Sequence, residues 1–136
     1  MRLQAVILVL GVLGLMVSSG CTRDSPGSSG WQMDYGTPAA QFEEGSVLEK
    51  GPAFIGRKIT VRGVVTRQDL SDTESCKIYL GHYICCDFGG FEAMARAYAP
   101  GETVFVDGVL VRCEEGEILL RPALGRDPTA PFEPMK

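Results

Sequence analysis

The sequence predicts a mainly β domain, a small closed barrel of five strands with one helix inserted between strands three and four. Apolar and polar residues alternate in several short runs, which is typical of strands with one buried face. The chain of 136 residues also contains 17 Gly and 8 Pro, and turn formers at this frequency favour short strands over long helices. The length allows one ordinary domain and excludes enzymes built on large α/β barrels or on two domains.

The elements follow in a simple order. Thr37 and Pro38 predict the start of a short N-terminal helix, with Thr as N-cap and Pro in the first turn. Alternation then predicts five strands, and a run of good helix formers predicts a helix over 91–98. The strands are expected at 59–66, 76–80, 83–88, 102–113 and 117–121. A five-stranded Greek-key barrel with a helix between its third and fourth strands is the OB-fold arrangement. Gly63 and Gly108 suit it, because a small barrel must bend its long strands.

The first 20 residues are predicted to be a signal peptide rather than part of the fold. An uncharged apolar run over 5–17 follows Arg2, and as a helix it would span only about 20 Å. Small residues just before Cys21 resemble a bacterial lipobox, which implies lipid attachment to the Cys21 sulfur and cleavage before it. An ordinary signal peptide cleaved nearby is the alternative. The predicted organisation is a signal peptide over 1–20, lipidated Cys21 with a flexible tether over 21–36, the OB-fold domain over 37–124 and an irregular Pro-rich tail over 125–136.

This organisation predicts a location. The tether is rich in Ser, Gly and Pro and cannot bury enough apolar surface to order itself. The domain is therefore expected in the bacterial cell envelope, facing the periplasm, with the membrane as a partner through the lipid anchor. Thr22 rather than Asp follows Cys21, which favours the outer membrane. Loss of Arg2 with the signal peptide shifts the formal net charge from −4 to −5.

Three segments of the predicted barrel carry a recognisable pattern. They are Phe54-Ile55-Gly56-Arg57-Lys58-Ile59-Thr60-Val61-Arg62-Gly63-Val64-Val65 in the first strand, Cys86-Asp87-Phe88 in the third and Pro100-Gly101-Glu102-Thr103-Val104-Phe105-Val106-Asp107-Gly108 in the fourth. These segments resemble the tRNA_anti-like family of small OB-fold proteins, and the resemblance covers about residues 50–122. Members are often secreted or lipid-anchored, so the resemblance implies an OB-fold in the envelope. The family name records similarity of fold and establishes no RNA binding.

A candidate binding face lies on the predicted second and third strands, where OB-folds usually bind their ligands. We expect a non-catalytic binding or adaptor module whose partner is an envelope protein or a small ligand. The alternative is a single-stranded oligonucleotide on the same face, with aromatic side chains for stacking. The acidic net charge disfavours a nucleic-acid partner. The residues of the candidate face are Lys77, Tyr79, Tyr83, Cys85 and Asp87.

Four cysteines remain in the domain after Cys21, and an even number in an oxidising compartment favours disulfides. Four cysteines allow three connectivities. We favour a bridge between Cys86 and Cys113 and a second between Cys76 and Cys85. Free buried thiols are the alternative.

A thiol-redox or metal-binding role is the third functional hypothesis, and its support in the sequence is slight. C-x₂-C spacing is absent, and the single histidine, His82, is predicted to be a solvated turn residue. It has no Gly-x-Ser-x-Gly or Cys–His signature beside it. We therefore predict no catalytic residues, no metal site, no cofactor and no enzyme activity.

Overall fold

The computed structural model describes residues 36–127 and 129–136, which belong to the unit Gln32–Lys136. Two short α-helices lie among these residues, α1 (Val47–Lys50) and α2 (Glu92–Arg96), and 3-10 turns over Glu44–Ser46 and Gly51–Phe54 flank α1. The strands of the described residues are β1 (Ala40–Glu43), β2 (Lys58–Asp69), β3 (Lys77–Leu80), β4 (Ile84–Asp87), β5 (Thr103–Glu114) and β6 (Glu117–Leu124).

Strands β2 to β6 close into a five-stranded barrel. β2 pairs antiparallel with both β3 and β5, β3 pairs antiparallel with β4, and β5 pairs antiparallel with β6. A parallel pairing of β4 with β6 completes the barrel. Helix α2 lies between β4 and β5, the third and fourth strands of the barrel. The predicted mainly β barrel of OB-fold type is confirmed.

The N-terminal part of the domain differs from the predicted helix. β1 runs parallel to the first part of β2, with Ala40 opposite Ile59, and helical turns begin only at Glu44. β3 pairs with the same edge of β2 from Val65 onward, so β1 and β3 lie end to end along that edge. A helix starting at Thr37 would leave the backbone of β2 unpaired there, and unpaired buried backbone groups are costly.

Glu44 fills the junction between β1 and β3. Its carboxylate accepts the backbone N–H of Val64 at 2.9 Å, at the position that neither strand pairs. A Cβ at Gly81 would lie 1.9 Å from the Glu44 carboxylate, and one at Gly63 would lie 2.9 Å from it. The lack of a side chain at Gly63 therefore leaves room for the Glu44 side chain. The bend that the sequence predicts at Gly63 is not there, because the register irregularity of β2 lies between Val65 and Arg67.

Gly108 has the bending role that the sequence predicts. The pairing of β5 with β6 shifts register between Gly108 and Leu110. A Cβ on Gly108 would lie 3.0 Å from the Leu120 Cβ and 3.1 Å from the Pro122 carbonyl oxygen. The two strands approach closely here because no side chain separates them.

Apolar side chains from every strand fill the barrel. Helix α2 adds Met94 and Ala95, and the Phe88 ring stacks on Tyr98 with centroids 5.7 Å apart. Full burial of one large apolar side chain contributes about 1.5–3 kcal/mol, so this core is the main source of stability. Its largest fully buried members are Phe42, Phe88, Ile59, Ile78, Leu80, Met94, Leu110, Leu120, Leu124, Val47, Val61 and Val65.

The residues after Leu124 pack against the outside of the barrel. The Phe132 ring meets Phe105 of β5 edge-on, with centroids 5.0 Å apart. The Met135 N–H donates to the Gln41 carbonyl at 2.8 Å, and the Gln41 side-chain oxygen accepts the Glu133 N–H at 2.7 Å. This C-terminal tail therefore lies along β1.

Candidate functional site

One row of side chains crosses the outer face of the barrel at the position where the sequence predicts binding. Strand register places Arg67 opposite Tyr79, Tyr79 opposite Cys85, Cys85 opposite Leu119 and Leu119 opposite Arg112. We call these five residues the central row. Neighbouring strands lie about 4.8 Å apart, so Tyr79, Cys85 and Leu119 form a continuous strip about 10 Å wide. An arginine ends the row on each side.

A hollow of about 280 Å³ opens beside the central row. The two turns that join β3 to β4 and β5 to β6 form its walls. Its lining residues are Tyr79, His82, Tyr83, Cys85, Gly116, Glu117, Ile118 and Leu119. Tyr83 is 55% exposed, while Tyr79 and Cys85 are half-buried. Three of the five predicted face residues thus meet at one concave place.

A second row on the same face consists of alternating charges. Asp69 pairs with Lys77 and Lys77 with Asp87 in the strand register, and the Arg121 Nε donates to Asp87 at 3.2 Å. Asp87 is 3% exposed and also accepts the Gly89 N–H at 2.8 Å. Asp87 therefore lies on the predicted face, but its carboxylate is buried, holds the end of β4 in place and offers little to a ligand.

The central row has few free cations and no activated thiol. The Arg67 guanidinium lies 3.9 Å from the centroid of the Tyr79 ring, and Arg112 is paired with Glu117. Burial raises the pKa of the Cys85 thiol, an effect that hydrogen bonding to Tyr79 only partly offsets. Burial also raises the pKa of Tyr79. Both groups are therefore neutral at physiological pH, and the centre of the face is uncharged.

The predicted bridge between Cys76 and Cys85 is wrong, because both cysteines are free thiols on opposite faces of the sheet. Cys76 precedes β3 and is buried in the core, and its thiol donates to the Asp72 carbonyl at 3.3 Å. Cys85 lies opposite Tyr79 on the outer face. Successive side chains of a strand point to opposite faces, so no rotamer brings these two sulfurs together.

The predicted bridge between Cys86 and Cys113 is wrong as well, since both are free. Both face the interior, but β6 lies between their strands, with Leu120 opposite Cys86 and Ile118 opposite Cys113. Two strand spacings amount to about 10 Å, more than the Cα separation of about 7 Å that a disulfide can span. The Cys113 thiol instead donates to the Val47 carbonyl at 3.2 Å.

A second concave region, which the sequence analysis missed, lies on the other side of the barrel. Its floor is a buried polar cluster in which Asp107 accepts hydrogen bonds from the Thr60 hydroxyl at 2.5 Å and from the Arg126 guanidinium at 3.3 Å. The Lys58 ammonium lies 3.7 Å from the same carboxylate. Arg126 also donates to the carbonyls of Ala130 and Pro131 at 3.0 and 2.7 Å. Thr60 and Asp107 are paired in the strand register, but both fall at polar positions of alternating strands, so the sequence carried no signal of their burial.

Further features of the described residues bear on the remaining hypotheses. No group of three or more His, Cys, Asp or Glu within them is arranged to hold a metal ion. His82 is exposed in the turn, with its ring centroid 5.9 Å from that of Tyr83. None of the described helices is long and apolar enough to cross a membrane. The predicted signal peptide, the lipidation of Cys21 and the tether before Gly36 fall outside the described residues.

Comparison of the chain with family models, with curated proteins and with solved structures finds no match. The resemblance to the tRNA_anti-like family thus stays a prediction from the quoted residues.

Proposed function

We propose that this chain is a non-catalytic binding module of the bacterial cell envelope, related to the tRNA_anti-like proteins and anchored by lipid on Cys21. Its partner is a protein, held on the central row and in the hollow beside it. The observation that carries the proposal is the meeting of Tyr79, Tyr83 and Cys85 around one hollow of about 280 Å³.

The size and composition of the hollow favour a protein partner over a free small molecule. Small-molecule sites usually enclose about 300–1,000 Å³ and bury most of the ligand, whereas this hollow of about 280 Å³ lies just below that range and is open. It suits a single side chain of a partner. Tyr and Arg dominate the energetic centres of protein interfaces. Here Tyr79 lies in a row that ends in Arg67 and Arg112, and Tyr83 lines the hollow beside it. The uncharged centre with charged groups around it matches the usual anatomy of such interfaces.

The charge arrangement argues against an oligonucleotide on this face. Single-strand binding needs cations for phosphates and open aromatic faces for bases. Arg67 covers one face of the Tyr79 ring, and Arg112 and Arg121 are paired with carboxylates. A bound strand would have to break these pairs. We expect no mobility shift of a labelled single-stranded oligonucleotide even at low salt, and a salt-sensitive shift would overturn the choice of partner.

Site-specific photocrosslinking tests the face directly. A photoreactive phenylalanine analogue replaces Tyr83 in one variant and Phe91 in a matched control, since Phe91 is 54% exposed and lies outside the hollow. We expect a discrete crosslinked protein from intact cells at position 83 and none of the same size at position 91. Equal patterns at the two positions would count against this face.

The anchor has its own test. Cys21→Ser should abolish lipid labelling and release the chain from the membrane fraction, while Cys85→Ser should leave both unchanged. Membrane attachment that survives Cys21→Ser would refute the lipoprotein proposal, and it would leave the proposal for the binding face unaffected.

A further inference from the structure

A groove of about 730 Å³ runs between the start of the described chain and the C-terminal tail. Its lining combines polar side chains with apolar ones, and the apolar ones include Pro38, Phe54, Pro131 and Met135. The polar groups of its floor already have partners, since Arg126 binds Asp107 and two tail carbonyls. The surface that is left for an occupant is therefore largely apolar.

The sequence just before the groove has a matching pattern. Trp31, Met33 and Tyr35 occur at every second position, separated by Gln32 and Asp34. Side chains two apart lie on one side of an extended chain, so an extended conformation would put Met33 and Tyr35 on the same side. This apolar pattern contrasts with the Ser, Gly and Pro of residues 25–30, and exposure of three large apolar side chains in a tether would be unfavourable.

We propose that Met33 and Tyr35 of this chain occupy the groove and dock the end of the tether on the barrel. Gly36 lines the groove, and the Cα of Tyr35 is one peptide, about 3.8 Å, away from it. Met33 can be no farther than about 10 Å from the same wall. The segment that leads to β1 therefore starts beside an apolar groove and carries the side chains to fill it.

Intramolecular photocrosslinking of the full-length chain in detergent tests the proposal. With the photoreactive analogue at Tyr35, we expect crosslinks to the groove walls, around Met135 and Pro131, at a yield independent of protein concentration. The same analogue at Phe91 should give no crosslink to the tail. Crosslinks that form only between chains would assign the groove to a second copy and overturn the proposal, as would the absence of any crosslink to the walls.

Hydrogen exchange supplies a second readout that does not depend on the analogue. In the full-length Met33→Ser/Tyr35→Ser variant, amides of residues 37–41 and 130–135 should exchange faster while those of β3 and β4 stay unchanged. Tyr83→Ser is the matched control and should leave the groove walls unchanged. Unaltered exchange along both walls in the double variant would refute docking, and it would leave the tests of the central row unaffected.

Discussion

The two outer sides of this barrel use their polar residues in different ways. On the covered face, formed by β1, β2 and β5 beneath the C-terminal tail, Thr60, Asp107 and Arg126 are buried and bonded to one another. On the open face, formed by β3, β4 and β6, Tyr83 is exposed beside a hollow and Cys85 is half-buried.

The contrast separates residues that maintain the fold from residues that are free to contact a partner. A buried carboxylate bonded to a guanidinium and a hydroxyl is costly to break, because its partners would remain buried without it. An exposed tyrosine at a turn costs little to replace. Substitutions on the covered face should therefore change stability, and substitutions on the open face should change binding.

The largest loss of stability is expected from Asp107→Ala. It removes the carboxylate that Arg126, Lys58 and Thr60 share. Breaking one side of a buried ion pair costs about 3–5 kcal/mol, which urea denaturation would measure as a lower midpoint. Glu117→Ala is the control, because its pair with Arg112 is exposed and worth about 0.2–1 kcal/mol. Equal midpoints for the two variants would remove the distinction between the two faces.

The next largest loss is expected from Gly108→Ala in β5. The new methyl group would press on the Leu120 Cβ at 3.0 Å and on the Pro122 carbonyl at 3.1 Å, atoms that cannot move without shifting a strand. Overpacking of this kind costs about 1–3 kcal/mol. Gly63→Ala should cost less, because its tightest contact, 2.9 Å, is the end of the flexible Glu44 side chain. Thermal unfolding of both variants checks the order, and a larger loss for Gly63→Ala would contradict it.

A smaller loss of stability is expected when the C-terminal tail loses its aromatic contact with β5. Phe132→Ala removes an edge-on contact with Phe105 at 5.0 Å and a cation–π contact with Arg62 at 5.1 Å. An aromatic pair and an exposed cation–π contact together contribute about 1–2 kcal/mol. Phe91→Ala, at an exposed ring, is the control, and chemical denaturation compares the two. If Phe132→Ala proves as mild as Phe91→Ala, the tail does not stabilise the covered face.

The buried thiols should weaken the fold only at alkaline pH. Burial raises the pKa of Cys86 well above its ordinary value of 9.0, and it raises that of Cys76 too. The thiols therefore lose their protons at a lower pH in the unfolded chain than in the folded chain. The stability that the protonated thiols contribute is complete below about pH 9, and it declines as the pH rises toward their folded-state pKa values. The melting temperature should fall from about pH 9 upward, and less steeply in Cys86→Ala. A slope that Cys86→Ala leaves unchanged would show that another group is responsible.

The sequence allowed the barrel to be predicted because strands β2 and β5 carry long, regular alternation. β1 was missed because Ala39, Ala40 and Phe42 fit a helical spacing as well as an alternating one, and Pro38 is typical of a first helical turn. The predicted bridge between Cys86 and Cys113 was wrong because β6 lies between their strands, an arrangement that arises only when the barrel closes. The Asp107–Arg126 contact joins a strand to an irregular tail, for which periodicity provides no signal.

Two members of the central row, Tyr79 and Cys85, were predictable because β3 and β4 form a short hairpin whose register follows from its turn. Tyr79 and Cys85 were expected on one face and are directly opposite each other. Leu119 and Arg112 were missed, since the parallel pairing of β4 with β6 that brings them into the row forms only when the barrel closes.

The smallest effect on stability, and the sharpest test of the comparison, is expected from Tyr83→Ser on the open face. The ring is 55% exposed, so the free energy of unfolding should change by no more than about 0.5 kcal/mol. Affinity for the protein captured at position 83 should nevertheless fall by about ten-fold or more, the loss of about 1.4 kcal/mol or more that truncation of a central tyrosine causes. Phe91→Ser, at a ring that is 54% exposed, should change neither quantity, as isothermal titration and urea denaturation of the three proteins would show. If Tyr83→Ser lowered stability and left affinity intact, the open face would be structural like the covered one, and the partner would have to bind elsewhere.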